Sequence, residues 1–161
     1  MIVVVMGVSG SGKSTIGPAL ARALEVPYLD ADDFHPPENV AKMAAGVPLG
    51  DADRAPWLAR MNERLRTLDR QGESAVLGCS ALKERYRRVL REGVRDFRLV
   101  YLHAPFEVIS RRVAQRQHRY MPASLLASQF DTLEPPDEAI SIDVSQPLER
   151  CVALAVSGLR G

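Results

Sequence analysis

Hydrophobic residues recur along the chain in two alternating patterns, one typical of buried strands and the other of amphipathic helices. The β-branched run Ile2–Met6 predicts a first strand, and apolar residues at four-residue steps predict a helix over Lys13–Leu24. Further strands are predicted at residues 27–29, 74–79, 97–102 and 139–144. Helices are predicted at residues 36–45, 56–70, 81–92, 124–133 and 148–159, with another ending at about Arg116. Five short strands separated by helices predict an α/β fold with a doubly wound, mostly parallel sheet.

Composition narrows the class of protein without identifying it. A chain of 161 residues fits one domain, so we expect a single domain over residues 1–161. Its 21 basic and 20 acidic residues give a net charge of +1, which offers no electrostatic case for nucleic acid or an anionic membrane as partner. Two cysteines favour a reducing cytoplasm over a disulfide scaffold. Since no apolar run approaches the roughly 18 residues of a membrane span, we expect no membrane partner.

The strongest motif lies between the first strand and the first helix. Residues 7–14, GVSGSGKS, match the phosphate-binding pattern G-x-x-x-x-G-K-[ST] in full. Backbone N–H groups there would surround the β- and γ-phosphates of a nucleotide, with the Lys13 ammonium beside them and the Ser14 hydroxyl on Mg²⁺. The candidates for cofactor binding are Gly10, Ser11, Gly12, Lys13, Ser14 and Thr15. The alternative is a glycine-rich turn that holds no ligand.

This loop occurs both in GTP-dependent switches and in small-molecule kinases. A switch needs a base-reading N-K-x-D motif, which the sequence lacks. The pair Asp69 and Gly72 has D-x-x-G spacing, but it lies at a helix end before the third strand, where a γ-phosphate sensor would not sit. The sequence therefore favours a kinase.

An acidic run after the second strand supplies candidates for phosphoryl transfer. In an extended chain, Asp30 and Asp32 point to one side and Asp33 to the other. Asp32 is the candidate that orients the acceptor hydroxyl and takes its proton, and Asp30 the candidate that holds water on Mg²⁺. Asp33 is a weaker candidate for substrate binding. The alternative for all three is a helix-capping acidic turn.

Several other polar residues could bind a hydroxylated anion. Two like charges four residues apart on a helix repel by roughly 0.2–0.5 kcal/mol unless an anion lies between them. This spacing makes Lys83 and Arg87 a candidate carboxylate site, and Arg54 a candidate clamp. The remaining substrate-binding candidates are His35, Asn39, Lys42 and Ser80. The alternative for Lys83 and Arg87 is a solvated basic face, and for Arg54 a surface arginine. For His35 and Ser80 it is a helix cap or a turn.

Arginines 111, 112, 116 and 119 precede Pro122 and predict a lid over about residues 116–134. A lid carrying arginines can neutralise charge on the γ-phosphoryl group and exclude water. Arg116 and Arg119 are therefore candidate catalytic residues. The alternative is an exposed basic helix end.

Taken together, these segments resemble the gluconokinase family, small P-loop kinases related to shikimate kinase. The matching segments are residues 6–15, 28–36, 46–49, 51–58, 79–83 and 121–130, with Asn39, Lys42, Met43, Tyr86, Arg87, Leu90, Arg91, Leu133 and Glu134. The resemblance implies a nucleoside-monophosphate-kinase-like fold and transfer of phosphate from ATP to D-gluconate with Mg²⁺. It also implies Arg112 and Pro147 on the two faces of the adenine, and a homodimer.

The lid departs from the family pattern. Its usual Gly-His-Phe-Met reads His118-Arg119-Tyr120-Met121 here, so we expect Arg116 to meet the phosphates, with Arg119 second. Two alternatives remain open. One is another small P-loop kinase of the shikimate kinase type; the other is a regulatory protein that binds nucleotide without turnover. The acidic pair and the basic residues argue against the regulatory protein, which has no need of an acceptor site.

Overall fold

A computed structural model describes residues 1–115 and 123–161. The strands are β1 (Ile2–Met6), β2 (Tyr28–Asp30), β3 (Ala75–Gly78), β4 (Phe97–His103) and β5 (Ile140–Asp143). The helices are α1 (Lys13–Leu24), α2 (Pro37–Ala44), α3 (Asp51–Arg70), α4 (Glu84–Arg91), α5 (Phe106–Gln115), α6 (Ala123–Thr132) and α7 (Leu148–Arg160), with a 3-10 helix at Ala31–Phe34. Within the described residues, no helix is both long and apolar enough to cross a bilayer.

The five strands form one sheet in the order β2-β3-β1-β4-β5, and all four pairings are parallel. The predicted doubly wound sheet is therefore confirmed. In this order β1 is central, and the chain crosses from one half of the sheet to the other after β3. Ligands of such sheets bind beyond the carboxyl ends of the strands, near the place where the strand order reverses.

The apolar residues pack on both faces of the sheet. Val3 and Val5 of β1 point to a face covered by α1, α5 and α7, whereas Ile2, Val4 and Met6 point to a face covered by α3 and α4. All five side chains are fully buried. Because both faces of β1 are covered, the strand is continuously hydrophobic rather than alternating, as buried parallel strands usually are.

Three local structures differ from the prediction. The helix predicted from residue 56 begins at Asp51, because the Asp53 carboxylate accepts from the N–H of Gly50 at 2.8 Å and so caps an earlier start. The helix predicted from residue 81 begins at Glu84, since Ala81 has a left-handed φ of 45° that no helix tolerates. The acidic run after β2 is coiled into the 3-10 helix rather than extended.

The end of α3 is fixed to the loop before β4 by Asp69, whose side chain is 6% exposed. Its carboxylate accepts from the backbone N and the Nε of Arg95, at 3.1 and 3.2 Å. The backbone hydrogen bond, aided by the guanidinium, lowers the pKa of Asp69. The D-x-x-G spacing noted above therefore marks a structural carboxylate.

A carboxyl whose pKa is lower in the folded than in the unfolded chain stabilises the fold above the unfolded pKa, about 3.9, and loses that contribution as pH falls. We therefore expect Asp69→Asn to weaken the dependence of the melting temperature on pH between about pH 5 and pH 3. Thermal unfolding followed by circular dichroism at several pH values measures this. Glu73→Gln, at an exposed position in the next turn, is the control. Parallel curves for Asp69→Asn and the wild type would contradict the prediction.

Candidate active site

A cavity of about 460 Å³ opens at the carboxyl ends of β1, β2 and β3. Nine of the candidates from the sequence line it: Gly10, Gly12, Lys13, Ser14, Asp30, Asp32, His35, Arg54 and Ser80. The structure thus brings the phosphate loop, the acidic pair and part of the proposed acceptor site together. Ser11, Thr15, Asp33, Asn39, Lys42, Lys83, Arg87, Arg112 and Pro147 do not line this cavity.

The phosphate loop is held from both sides. Lys13 Nζ donates to the carbonyls of Gly7 and Val8, at 2.7 and 3.0 Å, and burial lowers the pKa of this lysine to about 8. Gly10 has a φ of 80°, and a Cβ there would lie 2.6 Å from Val113 of α5, so only glycine fits. Ser11 Oγ is buried without a hydrogen-bond partner in the described structure. The loop therefore contains a cation and an unsatisfied polar group beside an open cavity.

The two aspartates reach the cavity by a different route from the one predicted. Asp30 ends β2, and its Oδ1 accepts from the N–H of Asp32 at 2.9 Å, which caps the 3-10 helix. Desolvation raises the pKa of Asp32, and the neighbouring charge of Asp30 adds to the effect. The prediction of an extended run was wrong, because this cap turns the chain at Ala31. Both carboxylates still line the cavity, and Asp33 is left exposed outside it.

His35 is held at the cavity wall by an aromatic neighbour and an amide. Its ring stacks on Trp57 with centroids 4.4 Å apart and planes 11° from parallel. Trp57 Nε1 in turn donates to the carbonyl of Ala31 at 2.7 Å. On the other side, His35 Nδ1 lies 3.2 Å from the Nδ2 of the buried Asn39. The imidazole is therefore fixed in orientation before any ligand arrives.

Asn39 and Lys42 contact Asp53 instead of the cavity. Asn39 Nδ2 donates to the carbonyl of Asp53 at 2.8 Å, and Lys42 Nζ donates to its Oδ1 at 2.7 Å. These contacts join α2 to the first turn of α3, and the hydrogen bond from Lys42 lowers the pKa of Asp53. His35 lines the cavity, whereas Asn39 and Lys42 lie behind it and do not line the cavity.

Of the two predicted substrate cations near Tyr86, one lines the cavity and the other does not. Arg54 lines the cavity, and its guanidinium lies 5.7 Å from the centroid of the Tyr86 ring. Lys83 Nζ is 5.8 Å from the same centroid, and the Tyr86 hydroxyl donates to Asp51 at 2.9 Å. Of these two cations, Arg54 is the one already placed to meet an acceptor anion.

Arg87 is buried and fully occupied by other contacts. Its side chain is 1% exposed, and it donates to the carbonyls of Ala81 and Glu134 at 2.7 Å each and to the Glu84 carboxylate at 3.2 Å. Arg87 was predicted to share an anion with Lys83, because two cations four residues apart on a helix repel each other unless an anion lies between them. The structure supplies Glu84 and two carbonyls for that purpose, so Arg87 does not reach the cavity.

We expect Arg87→Met to lower the free energy of unfolding by about 3 kcal/mol, because each buried acceptor left without a donor costs about 1–3 kcal/mol. Urea unfolding measures this. Arg88→Met is the control, since Arg88 is 75% exposed and its loss should change stability by less than about 0.5 kcal/mol. Unchanged stability with a raised KM for the acceptor would restore Arg87 to the substrate site.

Helix α6 and the chain just after it contact the phosphate loop and the start of α4. Gln129 accepts from the backbone N of Ser9 at 2.7 Å and donates to its Oγ at 3.0 Å. Just after the helix, the Glu134 carboxylate accepts from the N–H of Glu84 at 2.8 Å. Gln129 and Glu134 were predicted only as members of matching segments, and a polar residue at a fixed place in a motif was the signal available. The candidates Arg116 and Arg119 lie outside the described residues.

The predicted adenine-side residues lie near each other at the end of β5. Arg112 Nη2 donates to the carbonyl of Val144, three residues before Pro147, which caps α7. Val113, next to Arg112, lies against Gly10 of the phosphate loop, so this end of α5 joins the loop to the start of α7.

Six apolar or weakly polar residues that were not predicted as site residues also line the cavity: Tyr28, Ala31, Leu49, Trp57, Cys79 and Val113. Tyr28 lies across Gly17 and Gly78; a Cβ on Gly17 would be 2.6 Å from its ring, and one on Gly78 would overlap its hydroxyl. Trp57 follows Arg54 by one helical turn, a spacing that could have indicated a shared face. Burial raises the pKa of Cys79 to about 12, in keeping with a structural thiol.

A parallel sheet in this strand order, a phosphate loop after β1 and a carboxylate pair opposite it define a P-loop phosphotransferase. Residues 2–136 match the family described as AAA domain. Over 99% of its length the chain is 39% identical to the thermoresistant gluconokinase of Escherichia coli, covering 93% of that protein. It is 47% identical to the gluconokinase of Gluconobacter oxydans over 84% of this chain and 76% of that one.

A solved structure supports the same relationship. The crystal structure of a gluconokinase from Sinorhizobium meliloti superposes with a TM-score of 0.88 at 46% identity, over 98% of this chain and 90% of that chain. The chain belongs to the gluconokinase family.

Proposed function

We propose that the protein transfers the γ-phosphoryl group of ATP to the 6-hydroxyl of D-gluconate, giving 6-phospho-D-gluconate and ADP. The observation that carries the proposal is one cavity in which Lys13 and Ser14 face Asp32, His35 and Arg54. The family supports the choice of gluconate, because relatives 39% and 47% identical are gluconokinases. The shikimate kinase type of activity remains the alternative to test.

On the nucleotide side, the N-terminus of α1 and the loop before it bind the phosphates. The backbone N–H groups from Gly10 to Thr15 surround the β- and γ-phosphates, and the helix dipole favours their negative charge. Lys13 exchanges its contacts with the Gly7 and Val8 carbonyls for the phosphates. Arg112 and Pro147 contact the adenine. Arg116 and Arg119, on the proposed lid of about residues 116–134, close over the γ-phosphate.

The residues present fit Mg²⁺. Ser14 supplies an exposed hydroxyl, and Asp30 supplies a carboxylate with one oxygen not used by the helix cap. Both line the cavity, and oxygen ligands plus water are what Mg²⁺ takes beside a nucleotide. When bound, the metal would neutralise charge that develops on the phosphates. Ser14 would ligate it directly and Asp30 through water.

On the acceptor side, Asp32 orients the 6-hydroxyl and accepts its proton as the oxygen attacks phosphorus and ADP departs. Its raised pKa suits a group that must hold a proton during the reaction. Arg54, His35 and Ser80, which line the cavity, bind the hydroxyls and carboxylate of gluconate. Lys83, beside Tyr86 and outside the cavity lining, adds a positive charge nearby.

Two further proposals rest on the family and the cysteines. We propose a homodimer, because members of the family are often homodimers. A cytoplasmic location is supported by Cys79 and Cys151, which are both buried and free.

The test measures ADP release from Mg-ATP with D-gluconate, shikimate, nucleoside monophosphates or no acceptor. We expect turnover with gluconate and none above background otherwise. Turnover with shikimate alone would move the assignment to the alternative. ATP binding without turnover on any acceptor would leave the phosphate loop intact and overturn the proposed reaction.

A further inference from the structure

The buried amide of Asn39 uses both of its N–H groups. Asn39 is 2% exposed. Nδ2 is 2.8 Å from the carbonyl of Asp53, an atom that can only accept, so this atom of the amide must be the nitrogen. One amide hydrogen is thus directed at Asp53, and the other is directed at His35 Nδ1, 3.2 Å away.

A nitrogen that receives a hydrogen bond must carry a lone pair. In a neutral imidazole one ring nitrogen is then an acceptor and the other a donor. We infer that Asn39 holds His35 as the neutral tautomer with the proton on Nε2, so that His35 donates a hydrogen bond to gluconate and is barred from taking its proton. This inference rests on the proposed function for the identity of the ligand, but not for the tautomer.

The surroundings of His35 agree with this assignment. The ring lies flat on Trp57, which fixes its plane, and the contact of Nδ1 with Asn39 selects one of the two flipped positions that this plane allows. Nε2 has no hydrogen-bond partner within the described part of the protein, and His35 lines the cavity. Burial lowers the pKa of His35, which favours the neutral ring that a single donor requires.

Asp53 is the anchor behind the amide. Its carboxylate accepts from Lys42 Nζ and from the backbone N of Gly50, at 2.7 and 2.8 Å, and its carbonyl accepts from Asn39. The first turn of α3 is therefore fixed from two directions. We assign Asn39 and Lys42 as positioning residues, in place of the direct substrate contact expected from the sequence.

The fixed tautomer gives His35 and Asp32 different roles toward gluconate. His35 offers only a donor, which pairs with a lone pair on a hydroxyl or carboxylate oxygen of gluconate. Asp32 is then the only one of the two that can receive the proton of the attacking hydroxyl. A site with a built-in donor discriminates strongly against an analogue that lacks the matching oxygen, since the donor is left unpaired.

Nitrogen-15 NMR of histidine-labelled protein without ligands tests the tautomer directly. The chain has three histidines, and His35→Gln assigns the His35 signals by their disappearance. We expect the wild type to show a protonated Nε2 and an unprotonated Nδ1 at His35. A protonated Nδ1 in the neutral ring would overturn the inference.

The variant Asn39→Asp tests the cause. Its carboxylate accepts instead of donating, so Nδ1 should carry the proton. At pH 9, well above the ordinary histidine pKa of about 6.5, the ring is neutral and Nε2 presents a lone pair to gluconate. We expect the KM for gluconate to rise at least tenfold while the KM for ATP changes less than twofold. The matched control is Val40→Ala, at the neighbouring position of α2, where the side chain is 51% exposed.

Two results would count against Asn39. One is a His35 tautomer unchanged in Asn39→Asp, and the other is a gluconate KM no higher than in Val40→Ala. If Asn39→Asp fails to fold, Asn39→Ala is the second variant. It removes the donor without adding an acceptor, so His35 should change from one tautomer to a mixture of both. Lack of turnover with gluconate in the wild type would overturn the proposed function, whereas the NMR result would still decide the tautomer.

Discussion

Replacing Asp32 with asparagine is expected to lower kcat by about 10²–10⁴-fold, the range that a positioned general base contributes. The amide keeps the shape of the side chain but cannot take the proton of the acceptor hydroxyl. ATP affinity should change little, because Asp32 lies across the cavity from the phosphate loop. Asp32 also has a raised pKa, so the residual activity of the variant should lose the acid limb that the wild type shows above the ordinary aspartate pKa of about 3.9.

Steady-state kinetics with gluconate, together with calorimetric titration of ATP, measure these two effects. Asp33→Asn is the matched comparison, since Asp33 is adjacent in sequence but exposed outside the cavity, and we expect its kcat within about twofold of wild type. Full turnover by Asp32→Asn would remove this carboxylate from the mechanism. Equal losses in both variants would instead indicate a general effect of charge in the acidic turn.

Replacing Lys13 with methionine is expected to lower kcat by about 10²–10³-fold, the cost of removing one donor aimed at developing charge. The KM for ATP should rise as well, because the ammonium contacts the phosphates before the reaction. In the wild type, the pKa of Lys13 is about 8 and the phosphates favour its charged form. ATP binding should therefore weaken as pH rises, by about tenfold between pH 7 and pH 9.

Calorimetric titration of ATP at pH 7, 8 and 9 checks this dependence. In Lys13→Met the affinity should be low and nearly independent of pH over the same range. Arg22→Gln, at an exposed position near the end of the same helix, is the control and should behave as the wild type does. A wild-type affinity that is constant to pH 9 would show that Lys13 stays charged throughout.

The sequence predicted the fold well where a pattern is local. The run Ile2–Met6 and the steps of Ile16, Leu20 and Leu24 each report burial directly, so β1 and α1 were predicted with their observed bounds. Boundaries were missed where a side-chain cap or a left-handed residue decides them. The cap from Asp53 and the left-handed φ of Ala81 are two cases, because neither leaves a periodic trace.

In the candidate site, too, the sequence predicted some features and missed others. Motif spacing brought Lys13, Ser14, Asp30 and Asp32 to one cavity correctly. It could not separate a cation that faces the cavity from one that holds the protein together. Arg54 and Arg87 look alike in sequence, yet Arg87 is buried against two carbonyls that are close only after the chain folds. Likewise, Asn39 and Lys42 were predicted as substrate contacts. Their spacing on α2 does not show that their partner is Asp53 of the next helix.

The position of Tyr28 across two glycines has a consequence for how relatives of this chain can diverge. A larger residue at Gly17 or Gly78 becomes acceptable only once the tyrosine ring has been replaced by something smaller. The order of changes is therefore constrained: position 28 must shrink first, and the reverse order passes through a clash. A hybrid gene that joins residues 1–20 of a relative with a larger residue at position 17 to residues 21–161 of this chain should therefore fold poorly, because that residue meets the Tyr28 ring.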